Sequence, residues 1–296
     1  MTSSIGIVPC SDKAALLKFC QQALMQYRHL ICDLTLPFPE WRKAFGNYYG
    51  ISETEQPTFY VDNPQDVTLL ASIFINRLRI EGTFDGIAPD GFRQWCQTNR
   101  FQGYATTSEK LMCILRSITG PEGWSYNAHY QVTPETFRDQ TLTEVILLTP
   151  EDKEKVDAFL ARPADVPFLT VGRTVPALER DFSLSTLNLP VHCYAALIHN
   201  EIVGIASVHP MTTYADEFSQ LYVAPEYRGH GVGCSLLSAA VRDTFHRGHI
   251  LGAAPNPDAL PELEKIGFRL VCRFWHQRFW HDTPQTQPAT KEPSSL

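Results

Sequence analysis

The stretch from Phe218 to Val241 constrains the fold most, because its character changes three times within a short span. Residues 218–223 alternate and end in β-forming residues, which predicts a half-buried strand. Pro225 follows, and proline cannot continue a hydrogen-bonded ladder. The glycine-rich run from Arg228 to Gly233 then leads into an apolar helical pattern. The predicted order is therefore strand, glycine-rich turn, helix.

This order suits the binding of a phosphate group. The first N–H groups of a helix have no partner inside the helix and lie at the positive end of its dipole. Glycines allow the backbone to approach a ligand closely, so the turn is a candidate phosphate cradle. It is not a Walker A motif, because no Gly-Lys-Ser/Thr follows. It is also a poor dinucleotide fingerprint, because no ribose-binding acid follows in a βαβ unit.

Composition excludes several classes of protein. The 296 residues, 44% of them hydrophobic, allow one large domain or two modest ones. A net charge of -7 disfavours nucleic-acid binding, which needs a basic face. We expect no membrane span and no signal peptide, since no apolar run is long enough and the N-terminus lacks the basic and apolar regions. The eight cysteines contain no C-x-x-C pair, so we expect reduced thiols, no metal site and a cytoplasmic location.

Along the first half, Ser11 is a plausible N-cap for a helix that runs to about Tyr27. Asn63-Pro64 predicts a further helix, which carries Val67, Leu70 and Leu78 and ends near Ile80. Another helix fits residues 90–98. Residues 119–141 hold glycines and prolines with little periodicity, so we place the domain junction within them, near 133–139.

The second half has a regular pattern. It predicts the order β-α-(α)-β-β-β-α-β-α-β, with a strand at residues 143–148 and a strand hairpin at 193–209. The helix in parentheses is a possible short helix around residues 177–182. Residues 282–296 are rich in Pro, Thr, Gln and Ser, and we expect a disordered tail. The predicted division is residues 1–135, residues 140–281 and this tail.

Two motifs in this order resemble the GNAT N-acyltransferase superfamily. The first is the cradle of Arg228-Gly-His-Gly231-Val-Gly233, which resembles the family's Q/R-x-x-G-x-G/A. The second runs from Asn256 through Ala259, Leu263 and Lys265 to Gly267-Phe268, and resembles N-x-x-A-x-x-L-Y-x-K-x-G-F. Each motif alone would be weak, but both stand on the expected elements. The resemblance covers residues 143–279.

The resemblance implies a mixed α/β fold with splayed central strands, preceded by a smaller mixed α/β domain. That first domain is compatible with a second, degenerate GNAT-like copy that lacks a cradle. The implied co-substrate is acetyl-CoA or another acyl-CoA. Its pyrophosphate would meet the cradle and its pantetheine arm would pair with the preceding strand. The implied acyl-CoA-binding residues are Leu221, Tyr222, Val223, Arg228, Gly229, His230, Gly231, Val232, Gly233 and Asn256.

The chemistry implied is direct attack of an amine on the thioester. Family members often use a glutamate on the fourth strand as the base, or a water that it orders, and Glu217 is the best match. His209 could face the same cleft. The family motif often has a tyrosine, which can protonate the thiolate, where this chain has Leu263. Another group or water would then supply that proton, or the thiolate leaves unprotonated, or the site does not turn over.

Two functions therefore stand side by side. The first is an N-acyltransferase that acts on an amine of a small molecule or amino acid. The alternative is a catalytically inactive acyl-CoA-binding module that senses a ligand, which the leucine at position 263 favours.

Overall fold

The computed structural model describes residues 6–35, 56–74, 76–85, 89–161, 181–183, 185 and 191–278. In these ranges, twelve strands form one mixed sheet in the order β1-β2-β3-β4-β5-β12-β6-β11-β10-β9-β8-β7. The strands are β1 Val8–Pro9, β2 Thr58–Val61, β3 Leu69–Phe74, β4 Arg77–Gly82, β5 Gly103–Thr106, β6 Trp124–Val132, β7 Glu144–Leu147, β8 His192–Ile198, β9 Glu201–Pro210, β10 Ala215–Val223, β11 Ile250–Ala253 and β12 Arg269–Arg278. The helices are α1 Lys13–Cys20, α2 Arg28–Thr35, α3 Pro89–Asn99, α4 Glu109–Thr119, α5 Lys153–Leu160, α6 Val232–His246 and α7 Leu260–Ile266.

The order of elements repeats along the chain. In the first half, β2, β3 and β4 are antiparallel, α3 crosses over to β5 parallel to β4, and α4 leads to β6. In the second half, β8, β9 and β10 are antiparallel, α6 crosses over to β11 parallel to β10, and α7 leads to β12.

The final strands of the two halves are exchanged. β6 pairs with β11, and β12 pairs with β5, while β6 and β12 pair with each other at the centre of the sheet. Each half therefore completes the sheet of the other, and the two halves share one continuous set of backbone hydrogen bonds.

Helices cover this sheet on both faces. The largest apolar cluster packs α6 and α7 against β9, β10 and β11, and includes Leu236, Leu251 and Phe268, each with no exposed surface. A second cluster packs α5 against β8 and β9. In the first half, α3 and α4 pack on the sheet, and α1 and α2 form a further cluster with β2 and β3. Within the described ranges, no helix has both the length and the apolar character needed to cross a membrane.

The helix predicted to end near Ile80 is wrong. These residues form the antiparallel hairpin of β3 and β4, with Asn76 in the left-handed region at the turn (φ 55°). The Asp62 carboxylate accepts hydrogen bonds from the N–H groups of Thr68 and Leu69, which fixes the start of β3. An apolar set spaced for one helical face also fits buried strands, and here pairing with β2 and β5 on either side of the hairpin favours the strands.

Residues 124–132 also differ from the expectation of an irregular junction, because they form β6 at the centre of the sheet. The predicted first helix ends earlier than expected, at Cys20, and its N-cap is Asp12 rather than Ser11. The helix at residues 90–98, the strand at 143–148 and the hairpin at 193–209 are confirmed. The predicted tail at 282–296 and most of the helix expected at 177–182 lie outside the described residues.

Candidate active site

The predicted strand, turn and helix are confirmed. β10 ends at Val223, a short 3-10 turn covers Pro225–Tyr227, and α6 begins at Val232. Gly229 and Gly231 both adopt left-handed backbone conformations, with φ of 77° and 80°, and Gly231 is the N-cap of α6. A residue with a Cβ would be strained at either position. The glycines therefore allow the chain to fold back sharply and present the open N-terminus of α6.

A groove of about 670 Å³ lies over this turn. The strand residues Leu221 and Val223 line it, as does the whole cradle from Arg228 to Gly233. Two predicted residues are not among its lining residues. Tyr222 is buried on the opposite face, where its ring centroid lies 5.7 Å from that of Phe159. Asn256 is partly buried and precedes the short turn before α7.

Arg228 turns back onto its own strand. Its Nε donates to the carbonyl oxygen of Val223 at 2.9 Å, and its guanidinium carbon lies 5.6 Å from the centroid of the Tyr222 ring. These contacts hold the guanidinium against Tyr222, on the face of β10 opposite the groove, although Arg228 is also one of the residues that line the groove. The groups that the structure offers to an anionic ligand here are therefore the N–H groups at the N-terminus of α6.

The segment between the two halves forms one wall of the groove, which sequence reasoning missed. Gln140 and Leu142 line the groove, and Leu142 is 78% exposed. The Ser235 hydroxyl on α6 accepts hydrogen bonds from the N–H groups of Leu142 and Thr143, at 2.9 and 3.1 Å. The signal in the sequence is the serine one turn into the helix, but its partner cannot be recognised from spacing.

The strands β10 and β11 separate beside the cradle. They pair in parallel from Ala215 opposite Ile250 to Phe218 opposite Ala253, and β10 then continues to Val223 without β11. The register of β10 against β9 also shifts between Phe218 and Gln220, as at a β-bulge. The predicted splayed central strands are therefore present, and the gap opens between the predicted base and the cradle.

Glu217 lies at the paired end of β10 and meets the first half of the chain. Its Oε2 accepts from Nε and Nη2 of Arg28, at 3.3 and 3.2 Å. Burial alone would raise the pKa of Glu217, but the charge and hydrogen bonds of Arg28 outweigh burial and hold that pKa below its ordinary value. Burial and the same guanidinium lower the pKa of the adjacent His129 to about 3, so His129 is neutral at pH 7.

His209 stands opposite Glu217 in the β9–β10 ladder. Its Nε2 lies 2.9 Å from Oδ2 of Asp181, and the same carboxylate oxygen accepts from the Ser207 hydroxyl at 2.6 Å. Asp181 is fully buried and His209 is 5% exposed. The Asp181 carboxylate therefore contacts His209 next to Glu217, on the face of the sheet that the two ladder partners share.

Residue 263 offers no acid. Leu263 is 1% exposed and packs in the main apolar cluster. Cys234 lines the groove at the start of α6, and burial raises the pKa of its thiol, which keeps it protonated and a poor nucleophile. In the part of the chain that the structure describes, no cluster of three or more His, Cys, Asp or Glu side chains could hold a metal ion.

Comparison with known proteins agrees with this geometry. Residues 161–268 match the model of the acetyltransferase (GNAT) family, which confirms the resemblance of the second half. No curated protein sequence matches the chain.

Solved structures show the fold over a larger part of the chain. An acetyltransferase of the GNAT family from Colwellia psychrerythraea superposes with a TM-score of 0.54 at 12% identity, covering 92% of this chain and 99% of that one. A tandem GNAT protein from the clavulanic acid biosynthesis pathway, solved without acetyl-CoA, gives 0.51 at 12% identity, with 98% and 99% covered. A GCN5-related N-acetyltransferase from Kribbella flavida gives 0.50 at 12% identity, with 80% and 94% covered. At these identities the likeness establishes the GNAT fold and not a substrate.

Proposed function

We propose that this protein transfers an acetyl or other acyl group from acyl-CoA to the amine of a small molecule or amino acid. The observation that carries the proposal is the left-handed glycine turn at the open N-terminus of α6, beside the end of β10, which pairs with β9 but not with β11. This arrangement offers backbone N–H groups to a pyrophosphate and a free strand edge to a pantetheine arm. The proposed donor residues are those of the sequence prediction that line the groove, which are Leu221, Val223 and Arg228 to Gly233, with Leu142 added at the groove wall.

The contrast between the halves supports a single donor site in the second half. In the first half, β4 likewise runs beyond its last pair with β5, Arg79 opposite Ala105. There the buried Glu81 carboxylate accepts from the N–H of Thr107 at 2.8 Å and from its hydroxyl at 2.6 Å. The corresponding gap is thus closed by a side chain. We propose that residues 1–135 are a degenerate GNAT copy that supports the site at residues 140–281.

The strand geometry relates the donor and acceptor ends of the site. Glu217 precedes Leu221 by four residues, which is about 13 Å at a rise of 3.3 Å per residue. The neutral amine would attack the thioester carbonyl carbon in the gap between them. A backbone N–H near Leu221 would polarise the carbonyl oxygen, the C–N bond would form, and the C–S bond would break.

Two protons must be accounted for. The nitrogen loses one, and a water that the Glu217 carboxylate orders relays this proton to solvent. The lowered pKa of Glu217 keeps the carboxylate ionised, so that it orders the water without retaining the proton. The departing CoA thiolate takes one from solvent or leaves unprotonated, since Leu263 cannot donate. On this account, Glu217 aligns the amine and the water that takes its proton.

The alternative is an acyl-CoA-binding module without turnover. The buried Leu263 and the weakened basicity of Glu217 both favour it. Both functions need the cradle, so a binding measurement alone does not separate them.

Thiol release from acetyl-CoA across a panel of primary amines separates them. We expect amine-dependent release by the wild type, and a loss of about 100-fold in kcat for Glu217→Gln. Glu226→Gln is the matched control, because Glu226 is exposed in the turn after β10. Acetyl-CoA binding without release for any amine would favour the sensor. Unchanged acetyl-CoA affinity in Gly231→Glu would refute the cradle itself.

A further inference from the structure

One cation of the first half reaches directly into the site of the second. Arg28 is the first residue of α2, and its side chain is 1% exposed. Its Nη1 donates to the carbonyl oxygen of Met25 at 3.0 Å, and its Nη2 makes a short contact with Nδ1 of His129. Because arginine only donates, Nδ1 of His129 is the acceptor and its ring proton lies on Nε2. These contacts leave the guanidinium one orientation.

That orientation engages only one oxygen of Glu217. Both donations from Arg28 end on Oε2, and among the described residues no side chain or backbone group donates to Oε1. The Glu217 side chain is 21% exposed, whereas that of its neighbour Asp216 is 4% exposed. Arg28 therefore holds Glu217 from the buried side and leaves Oε1 for a group in the cleft.

The backbone of β11 makes room for this contact. Gly252 is the ladder partner of Glu217, and a Cβ there would lie 2.6 Å from Cε of Met25. The segment that carries Arg28 thus packs directly on β11 where a side chain is absent.

We propose that Arg28 is a positioning residue for the acyl transfer proposed above, which fixes Glu217 with Oε1 towards the amine. The second half then carries the reacting groups, but its acid is aligned only when the first half is docked. This gives the half without a cradle a defined part in the reaction.

The charges around Glu217 determine how the proposal is tested. Arg28 faces it from α2, His129 from β6 and His209 from β9, and His209 is paired with Asp181. His129 is neutral at pH 7, so Arg28 is the fixed positive charge. Removing that charge raises the pKa of Glu217, and the acid limb of the pH–rate profile follows the ionisation of Glu217 to higher pH.

The experiment measures initial rates with acetyl-CoA and the best amine of the panel, for wild type, Arg28→Met, Arg28→Lys, Glu217→Gln and the double variant Arg28→Met/Glu217→Gln. We expect Arg28→Met to lower kcat/KM for the amine by about 100-fold, the loss typical of a misplaced reacting group. Its acid limb should shift to higher pH and its KM for acetyl-CoA should stay within about twofold. Arg28→Lys keeps the charge without the fork, so we expect a lower rate with an unshifted acid limb.

The double variant distinguishes positioning from general destabilisation. If Arg28 acts through Glu217, the double variant is no slower than Glu217→Gln alone. Arg247→Met is the matched control. It removes the Arg247–Asp216 ion pair, at 2.8 Å, on the opposite face of β10, and leaves the contact of Asp216 with His249. We expect it to leave the acid limb in place.

Three results would overturn the proposal while leaving acyl transfer intact: an unshifted acid limb in Arg28→Met, equal rate losses from Arg28→Met in the wild-type and Glu217→Gln backgrounds, or wild-type kcat/KM in Arg28→Lys. If Arg28→Met does not fold, the Arg28→Lys rate and profile decide alone. A wild type that releases no thiol with any amine would instead refute the transfer function, and the positioning role with it.

Discussion

Gly231 offers the sharpest test of the cradle, because Gly229 is a matched control two residues away. Both have left-handed φ values, 80° and 77°, so alanine at either position costs about 1–2 kcal/mol of folding free energy. No atom lies within 4 Å of a Cβ added to Gly229, whereas a Cβ on Gly231 would lie 2.6 Å from Cδ1 of Leu142. The exposed Leu142 side chain can rotate away, so the two variants should lose similar stability.

Their effects on acyl-CoA binding should differ. In Gly231→Ala the new methyl group and the displaced Leu142 both enter the groove that Leu142 lines. We expect acetyl-CoA affinity to fall at least tenfold, about 1.4 kcal/mol, while Gly229→Ala stays within about threefold. Isothermal titration calorimetry gives the affinities, and calorimetric melting gives the stability, where each variant should lose about 2–6 °C in Tm.

A second substitution tests the cause. The double variant Gly231→Ala/Leu142→Ala should bind acetyl-CoA more tightly than Gly231→Ala, because the crowding side chain is gone. Equal affinities for the two glycine variants, or no recovery in the double variant, would show that the groove beside Leu142 is not where the donor lies.

Three further predictions concern stability. Gly267→Ala should lower the free energy of unfolding by about 3 kcal/mol, because the φ of Gly267 is 105° and a Cβ there would meet the backbone carbonyl of Thr136. Gly248→Ala is the control and should cost only about 1 kcal/mol, since Gly248 has a φ of 77° and open space around it. Equal losses of the two variants in urea unfolding would contradict the clash. Arg247→Met should lower the free energy of unfolding by about 2 kcal/mol. This loss is smaller than that from breaking a fully buried ion pair, because the Arg247 side chain is 23% exposed. An unchanged midpoint of urea unfolding would exclude a stabilising role for this ion pair. Burial raises the pKa of Glu81 from 4.5 to about 7. The contribution of the Glu81 carboxyl to folding stability is therefore fully present below pH 4.5 and falls by about 3 kcal/mol as the pH rises through 7. Glu81→Gln should remove this part of the pH dependence of stability, and a variant whose stability profile runs parallel to that of the wild type would refute the prediction.

The parts of the site that could be predicted are local in the chain. Gly229 and Gly231 adopt backbone conformations that other residues avoid, and the apolar pattern of α6 begins directly after them. Everything that shapes the turn lies within a few residues, so spacing alone identifies it. The same holds for α7, which ends at Gly267 with φ of 105°.

The errors fall where distant segments decide. The apolar residues of β3 and β4 also fit one helical face and so predict a helix, whereas pairing with β2 and β5 makes them strands. The polar sequence of β6 predicts a junction, although the strand pairs with β11 and β12 at the centre of the sheet. A strand is stabilised by its neighbours, and neighbours that come from another half of the chain leave no local pattern.

The sequence by itself determined the glycine turn at the start of α6 and the acid at position 217, because backbone conformation and residue identity are local properties. Only the tertiary structure decided what that acid can do. Arg28, 189 positions away in the chain, holds one oxygen of Glu217 and lowers its pKa. The proton affinity and direction of a carboxylate depend on the charges around it in space, and the exchange of β6 and β12 is what brings the two halves together there.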